Sequence, residues 1–172
     1  MQKNEQFIKL YDEYADAIFR HCSLRLSDQE LVKDITQETF IRTWDYMTGG
    51  GEIKNFKAFL YRVAHNLIVD AYRKKKTVSL DALQEKGVQI RHHKAEGDIQ
   101  THTEINDILQ FIQKLDEKYR EVVVMRYVDE LSPTEISEIL NETENAVSVR
   151  IHRGLQKVRE LYTEAHNSIF LY

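Results

Sequence analysis

The densest group of residues able to read nucleic acid lies between Leu131 and Arg159. Arg150, Arg153, Lys157 and Arg159 outnumber Glu144 at the start of that stretch, so the segment is locally positive. Cationic side chains neutralise phosphates, while Arg and Asn present hydrogen-bonding geometry that matches base edges. Helical spacing puts Asn145, Ser148, Val149, His152 and Arg153 on one side, flanked by Arg150 and Lys157. Val149 offers an apolar contact for a thymine methyl. The other side is an apolar stripe of Val147, Ile151, Leu155 and Val158, fit for burial.

A second basic segment runs from Lys54 to Lys76. There Lys54, Lys57, Arg62, Arg73, Lys74, Lys75 and Lys76 face one acid, Asp70. Tyr61, His65 and Tyr72 are interleaved, so phosphate contacts and flat stacking surfaces are expected together, a mixture suited to a single or melting strand. A third group, Asp34, Gln37 and Glu38, falls at i, i+3 and i+4 and shares one helix face that suits a basic partner. Each group also has a plainer reading: a helical hairpin with a basic face, a helix end with solvated lysines, a solvated acidic face.

Other chemistries find no support. No Ser-His-Asp or Cys-His arrangement stands out, and no Gly-Lys-Ser/Thr follows Gly49-Gly50-Gly51, so an enzyme and a phosphate-binding loop are not expected. His92, His93 and His102 lack helical ligand spacing, and no metal or cofactor is expected. Cys22 is the single cysteine, which excludes an internal disulfide and reads as a small buried hydrophobe.

The elements that must position these groups are helical. Among 172 residues there are one proline and six glycines, and period-two alternation is not sustained anywhere. The hydrophobic share of 42% supports a core, and the 30% of charged residues a solvated surface. Phe7, Leu10, Tyr11, Tyr14 and Ile18 mark a first helix. Ser27-Asp28-Gln29-Glu30 reads as a capping box with Ser27 at the N-cap, opening a helix to about Met47. Tyr46 to Glu52 is a loop, and another helix is expected from about Asn55 to Lys75. Between Thr77 and Thr103 the pattern dissolves, as in a linker. Periodicity returns at Ile105. Ser132, Pro133 and Glu135 cap a short helix, Asn141-Glu142-Thr143 makes a turn, and Thr143 caps the next helix. Two helices so spaced match a helix-turn-helix, whose second helix enters the major groove.

The fold expected is therefore all-α, with two small helical domains joined by a flexible linker. The boundaries are 1–76, a linker at 77–103, the helix-turn-helix domain at 104–163 and a tail at 164–172. The net charge of −4 does not oppose this reading, because the charges are segregated. The start lacks a signal peptide's apolar core and no run approaches a membrane span, so a cytoplasmic protein is expected.

These pieces, in this order from Phe7 to Leu161, resemble an extracytoplasmic-function sigma factor. Asp34-Ile-Thr-Gln-Glu-Thr-Phe40 is similar to the family's polymerase-docking motif in region two. Phe59 to Lys74 is similar to its helix for promoter melting and minus-ten recognition, and Leu131 to Arg153 to the region-four helix-turn-helix. The resemblance implies that Asp34, Gln37 and Glu38 contact the clamp helices of core RNA polymerase. It implies that the loop from Tyr46 to Lys54 receives a base flipped from the non-template strand. Lys54, Lys57, Arg62, His65, Asn66, Asp70, Arg73 and Lys74 would then meet minus-ten DNA. Asn145, Ser148, Val149, Arg150, His152, Arg153 and Lys157 would meet minus-thirty-five DNA, with Arg150 nearer phosphate. The linker would thread through polymerase, and an anti-sigma partner is implied as well.

The chain departs from the family pattern at His65, where arginine is usual, and at Asn141, where glycine is frequent. It also departs at Glu144-Asn145-Ala146, in place of a Gly-Thr pair, and at Gly154, in place of alanine. Two other readings fit part of the chain: a helix-turn-helix regulator that does not bind core polymerase, and a helical protein-interaction adaptor without DNA affinity.

Overall fold

The computed structural model describes residues 2–82 and 110–167, and all regular structure among them is helical. The chain divides into two compact units, Met1–Ala95 and Glu96–Tyr172. The expected helix at Ile105, most of the linker and His92, His93 and His102 lie outside the described residues.

The first unit holds α1 (Gln2–Ser23), α2 (Gln29–Thr48) and α3 (Phe56–Ala82), each packed on the other two. Ile18, Val32, Leu60 and Ala64 have no exposed surface. Phe7 and Tyr11 of α1 meet α2 edge to face, Phe7 at 5.1 Å from the Trp44 ring and Tyr11 at 4.8 Å from that of Phe40. The core face of α2 includes Thr39 and Thr43, both fully buried. Their hydroxyls donate to the carbonyls of Ile35 (2.7 Å) and Thr39 (2.8 Å), so the fold buries them without orphaning a polar group.

The cap of α2 is Asp28 rather than Ser27. Its Oδ1 accepts from the backbone N–H of Glu30 (3.0 Å) and Leu31 (3.3 Å). A carboxylate at the helix N-terminus also meets the positive end of the dipole, which a hydroxyl does not. Asn55 opens α3 by accepting from Ala58 N–H (3.0 Å). That helix runs to Ala82, six residues beyond the boundary read at residue 76. Leu80 and Ala82 are helix formers, and with no glycine or proline to break the helix, loss of the apolar stripe did not mark its end.

In the second unit a helical turn at 110–113 precedes α4 (Glu117–Tyr127), α5 (Pro133–Leu140) and α6 (Glu144–Asn167). Val122 to Met125 are all buried, so α4 is the hub on which α5 and α6 pack. The capping box is complete. Ser132 Oγ accepts from Glu135 N–H (3.2 Å), and Glu135 Oε2 accepts from Ser132 N–H (2.8 Å), with Pro133 in the first turn. Asn141 ends α5 in the left-handed conformation, φ 55° and ψ 46°, which asparagine tolerates better than most residues. Thr143 Oγ1 then accepts from Ala146 N–H (3.2 Å) to open α6.

Gly154 sits on the buried side of α6. A Cβ added there would lie 2.6 Å from Val123 Cγ2 and 3.5 Å from the Tyr119 carbonyl oxygen. The missing side chain therefore sets how closely α6 approaches α4.

Candidate nucleic-acid interface

On α6 the fold separates two kinds of residue. Val147 and Ile151 are buried with Gly154, and Leu155 and Val158 are partly buried. Asn145, Ser148, Val149, His152 and Arg153 are all exposed, Val149 by 42%. An exposed branched apolar side chain within a polar row is what a thymine-contacting position requires. The first turns of α6, which carry most of this row, are held by the Thr143 cap and by a hydrogen bond from Thr134 Oγ1 to Glu144 Oε2 (3.0 Å).

The two flanking cations are placed differently from the expectation. Arg150 turns away from the exposed row. Its Nη1 donates to Glu142 Oε1 (2.9 Å), Nη2 lies 3.9 Å from Glu121 Oε2 of α4, and the side chain is 19% exposed. Lys157 Nζ reaches Asp116 Oδ2 (3.4 Å) and lies 5.1 Å from the centre of the Tyr119 ring. Both cations are held by acids at 116, 121 and 142, which sequence spacing along α6 alone does not reveal.

On the first unit, Lys54, Arg62, Asn66, Asp70, Arg73 and Lys74 are exposed and Lys57 is partly exposed. Arg62, Asn66, Asp70 and Arg73 recur every three or four residues, so α3 presents them as one surface row. Asp70 and Arg73 approach to 3.9 Å, both well exposed, so the pair holds neither side chain firmly.

The stacking surfaces are not those expected. Tyr61 is 2% exposed and stands edge-on to His21 of α1, at 5.0 Å, while the Tyr72 hydroxyl donates to the Arg25 carbonyl. In their place Tyr46, at the end of α2, meets Phe59 of α3 at 5.0 Å. Arg62 covers the Phe59 ring at 5.4 Å, and Gly51 lies against the Tyr46 ring, where an added Cβ would fall 2.2 Å from Cε1. The sequence reading placed Phe59 in the core, yet it is only partly buried. Tyr46 and the three glycines were the available signal, because a ring beside a glycine run lets backbone lie flat on it.

His65 also departs from the expectation. It is partly buried toward α1, and its pKa is lowered to about 4, first by burial and then by the positive charges of His21 and Arg25. It is therefore neutral near pH 7 and unsuited to a phosphate contact. A base whose folded pKa lies below its ordinary 6.5 contributes stability that is complete above pH 6.5 and lost as pH falls toward 4. Thermal melting should show His65→Gln less stable than the parent at pH 7, with the gap closing by pH 4.5.

On α2, Asp34 and Gln37 are exposed and Glu38 is partly exposed, paired with Arg42 at 2.7 Å. Ile41, 47% exposed, lies one turn beyond Gln37 and Glu38 on the same face. It places an apolar centre in the acidic patch, a position that the charge pattern alone did not single out.

Among the described residues no three His, Cys, Asp or Glu side chains are grouped to hold a metal ion. No helix there is long and apolar enough to cross a membrane.

Comparison with known proteins places these surfaces in a family. Residues 10–78 match the model of sigma-70 region 2, and residues 105–158 that of sigma-70 region 4. The chain is 36% identical to the ECF RNA polymerase sigma factor SigW of Bacillus subtilis, over 93% of this chain and 91% of that protein. It is 29% identical to SigM of the same organism, over 92% and 96%. Among solved structures, the sigma factor RpoE in complex with the anti-sigma factor NepR from Bartonella quintana matches with a TM-score of 0.73 at 17% identity. That match covers 92% of this chain and 98% of RpoE. CnrH in complex with the cytosolic domain of CnrY matches at 0.65 and 22% identity, over 94% and 90%. These two show a shared fold. With the region models and the SigW identity, they establish that the chain belongs to the extracytoplasmic-function sigma factors, the non-catalytic subunits that direct promoter-specific transcription by RNA polymerase.

Proposed function

We propose that the two units divide promoter recognition between them. The row Asn145, Ser148, Val149, His152 and Arg153 reads the minus-thirty-five element in the major groove. The row from Arg62 to Arg73, with Lys54, Lys57 and Lys74, holds minus-ten DNA. Asp34, Gln37 and Glu38 dock on core polymerase, and Ile41 adds apolar contact there. The chain catalyses nothing itself and acts in the cytoplasm. The upstream module spans about 104–163 and the downstream one about 1–76, although α3 and α6 continue past those limits. The segment between them threads through polymerase. By analogy with RpoE bound to NepR, an anti-sigma protein holds this chain inactive.

The observation that carries this reading is the sorting of α6, where every groove-facing type in the row is exposed and the apolar stripe is covered. A randomised upstream element, transcribed by holoenzyme built with this chain, reports the preferred sequence. Arg153→Ala should cut the preference at one or two base positions by about tenfold, the value of one good arginine–guanine contact. An unchanged preference profile would defeat the assignment.

In the downstream module the Tyr46–Phe59 platform and the glycine loop receive the flipped base. Extruding a base costs a few kcal/mol, which contacts with the opened strand must offset. In Gly51→Ala the new methyl cannot coexist with the Tyr46 ring where it stands. Strain of about 1–3 kcal/mol is expected, and with it roughly tenfold less promoter opening. Permanganate reactivity of unpaired thymines measures that loss, while binding to a pre-opened template stays near the parent level.

A further inference from the structure

Arg150 carries a charge in the middle of the recognition helix and does not offer it to the groove. Its side chain is 19% exposed, its Nε and Nη2 are shielded from solvent, and neither has a hydrogen-bond partner among the described residues. Nη1 is taken by Glu142 Oε1 at 2.9 Å, and Nη2 faces Glu121 Oε2 at 3.9 Å. Glu142 is the middle residue of the turn and follows Asn141, whose left-handed backbone sets the angle between α5 and α6. The Glu142 N–H donates to the Ser137 carbonyl (3.0 Å), so its side chain springs from a fixed point. Glu121 is on α4. One planar guanidinium thus ties together the turn, the hub helix and the recognition helix.

We propose that Arg150 is a positioning residue, which sets the angle of α6 in the groove through Glu142 and Glu121 and makes no phosphate contact. Its geometry supports this more than a DNA role. A phosphate would have to compete with two carboxylates already close by, for nitrogens that solvent does not reach. A charge so enclosed is costly to leave unpaired, so loss of either acid displaces the guanidinium and with it the helix. The proposal rests on the reading that α6 contacts the upstream element.

The two roles predict opposite signs for Glu142→Gln. If Arg150 binds phosphate, removing a neighbouring acid frees the cation and strengthens promoter binding. If Arg150 positions α6, the same change weakens discrimination between preferred and non-preferred upstream sequences by about fivefold, a fraction of one base contact. Promoter binding would keep the parent's salt dependence, because no phosphate contact is lost. The assay is holoenzyme made with the full chain, on templates with randomised upstream elements, together with salt titration of promoter binding. Arg150→Met should lose discrimination to the same degree, and Glu142→Gln added to it should cost nothing more, since the two act as one unit. A purely stabilising role would lower transcription from all templates alike and leave the discrimination ratio unchanged, which would overturn the proposal. So would tighter binding by Glu142→Gln, or a salt slope reduced by about one in Arg150→Met. If Arg153→Ala also leaves discrimination untouched, α6 is not the reading helix and the positioning role falls with it.

Discussion

Reversing Asp34 and Glu38 together to lysine should weaken binding to core polymerase by about a hundredfold or more, since facing like charges across an interface cost several kcal/mol. The expectation follows from what these residues do not do for the fold. Asp34 is exposed, and the Glu38–Arg42 pair is a one-turn contact with both side chains about half exposed, 41% and 53%. Such pairs contribute 1 kcal/mol or less. The core side of α2 is carried by Val32, Ile35, Thr39, Phe40, Thr43 and Met47, none of which the reversal touches. The melting temperature should therefore stay within a few degrees of the parent, and lost affinity would belong to the interface. Reversing Glu13 and Asp16, exposed acids on α1, changes net charge equally and should alter affinity only about threefold, through long-range attraction. Titration with labelled core polymerase at several salt concentrations separates the two.

Gly154→Ala has the second large effect, on stability. Alanine is favoured over glycine inside a helix by about 1 kcal/mol, so propensity alone predicts a gain. The packing predicts a loss. Val123, 1% exposed and β-branched, puts Cγ2 2.6 Å from the new methyl and has no free rotamer to retreat into. Overpacking costs about 1–3 kcal/mol, and the Tyr119 backbone behind it leaves α6 no room to slide. The net result should be destabilisation, seen as a lower midpoint in urea melting of the full chain. Val123→Ala in the same chain removes the obstructing methyl. The double variant should then recover most of what the single Gly154→Ala loses, even though Val123→Ala alone is destabilising.

Much of the fold was legible because capping and periodicity are local. Ser132, Pro133 and Glu135 form their box as their order implies, and Asn141 and Thr143 turn and restart the chain as their side chains allow. The split into exposed and buried faces of α6 was legible for the same reason, since helical spacing fixes which residues share a side. What spacing cannot show is which distant residue comes to meet a given side chain. Arg150 and Lys157 read as groove cations until Glu121, Glu142 and Asp116 are brought beside them. Tyr61 reads as a stacking ring until α1 covers it with His21, and Phe59 reads as core until Tyr46 meets it at the surface. Each of these turns on tertiary contacts between residues far apart in the chain or on different elements. The Ser27 cap is a different case: two adjacent residues both suited the position, and the carboxylate of Asp28 took it.

The central claim is that this chain confers promoter selectivity on RNA polymerase, and run-off transcription with purified core enzyme tests it most directly. Core polymerase alone should give no defined transcript from a template library, whereas core with this chain should initiate from templates that share one upstream and one downstream element. Failure of the chain to associate with core polymerase at low salt, or transcripts with no sequence in common, would contradict the account.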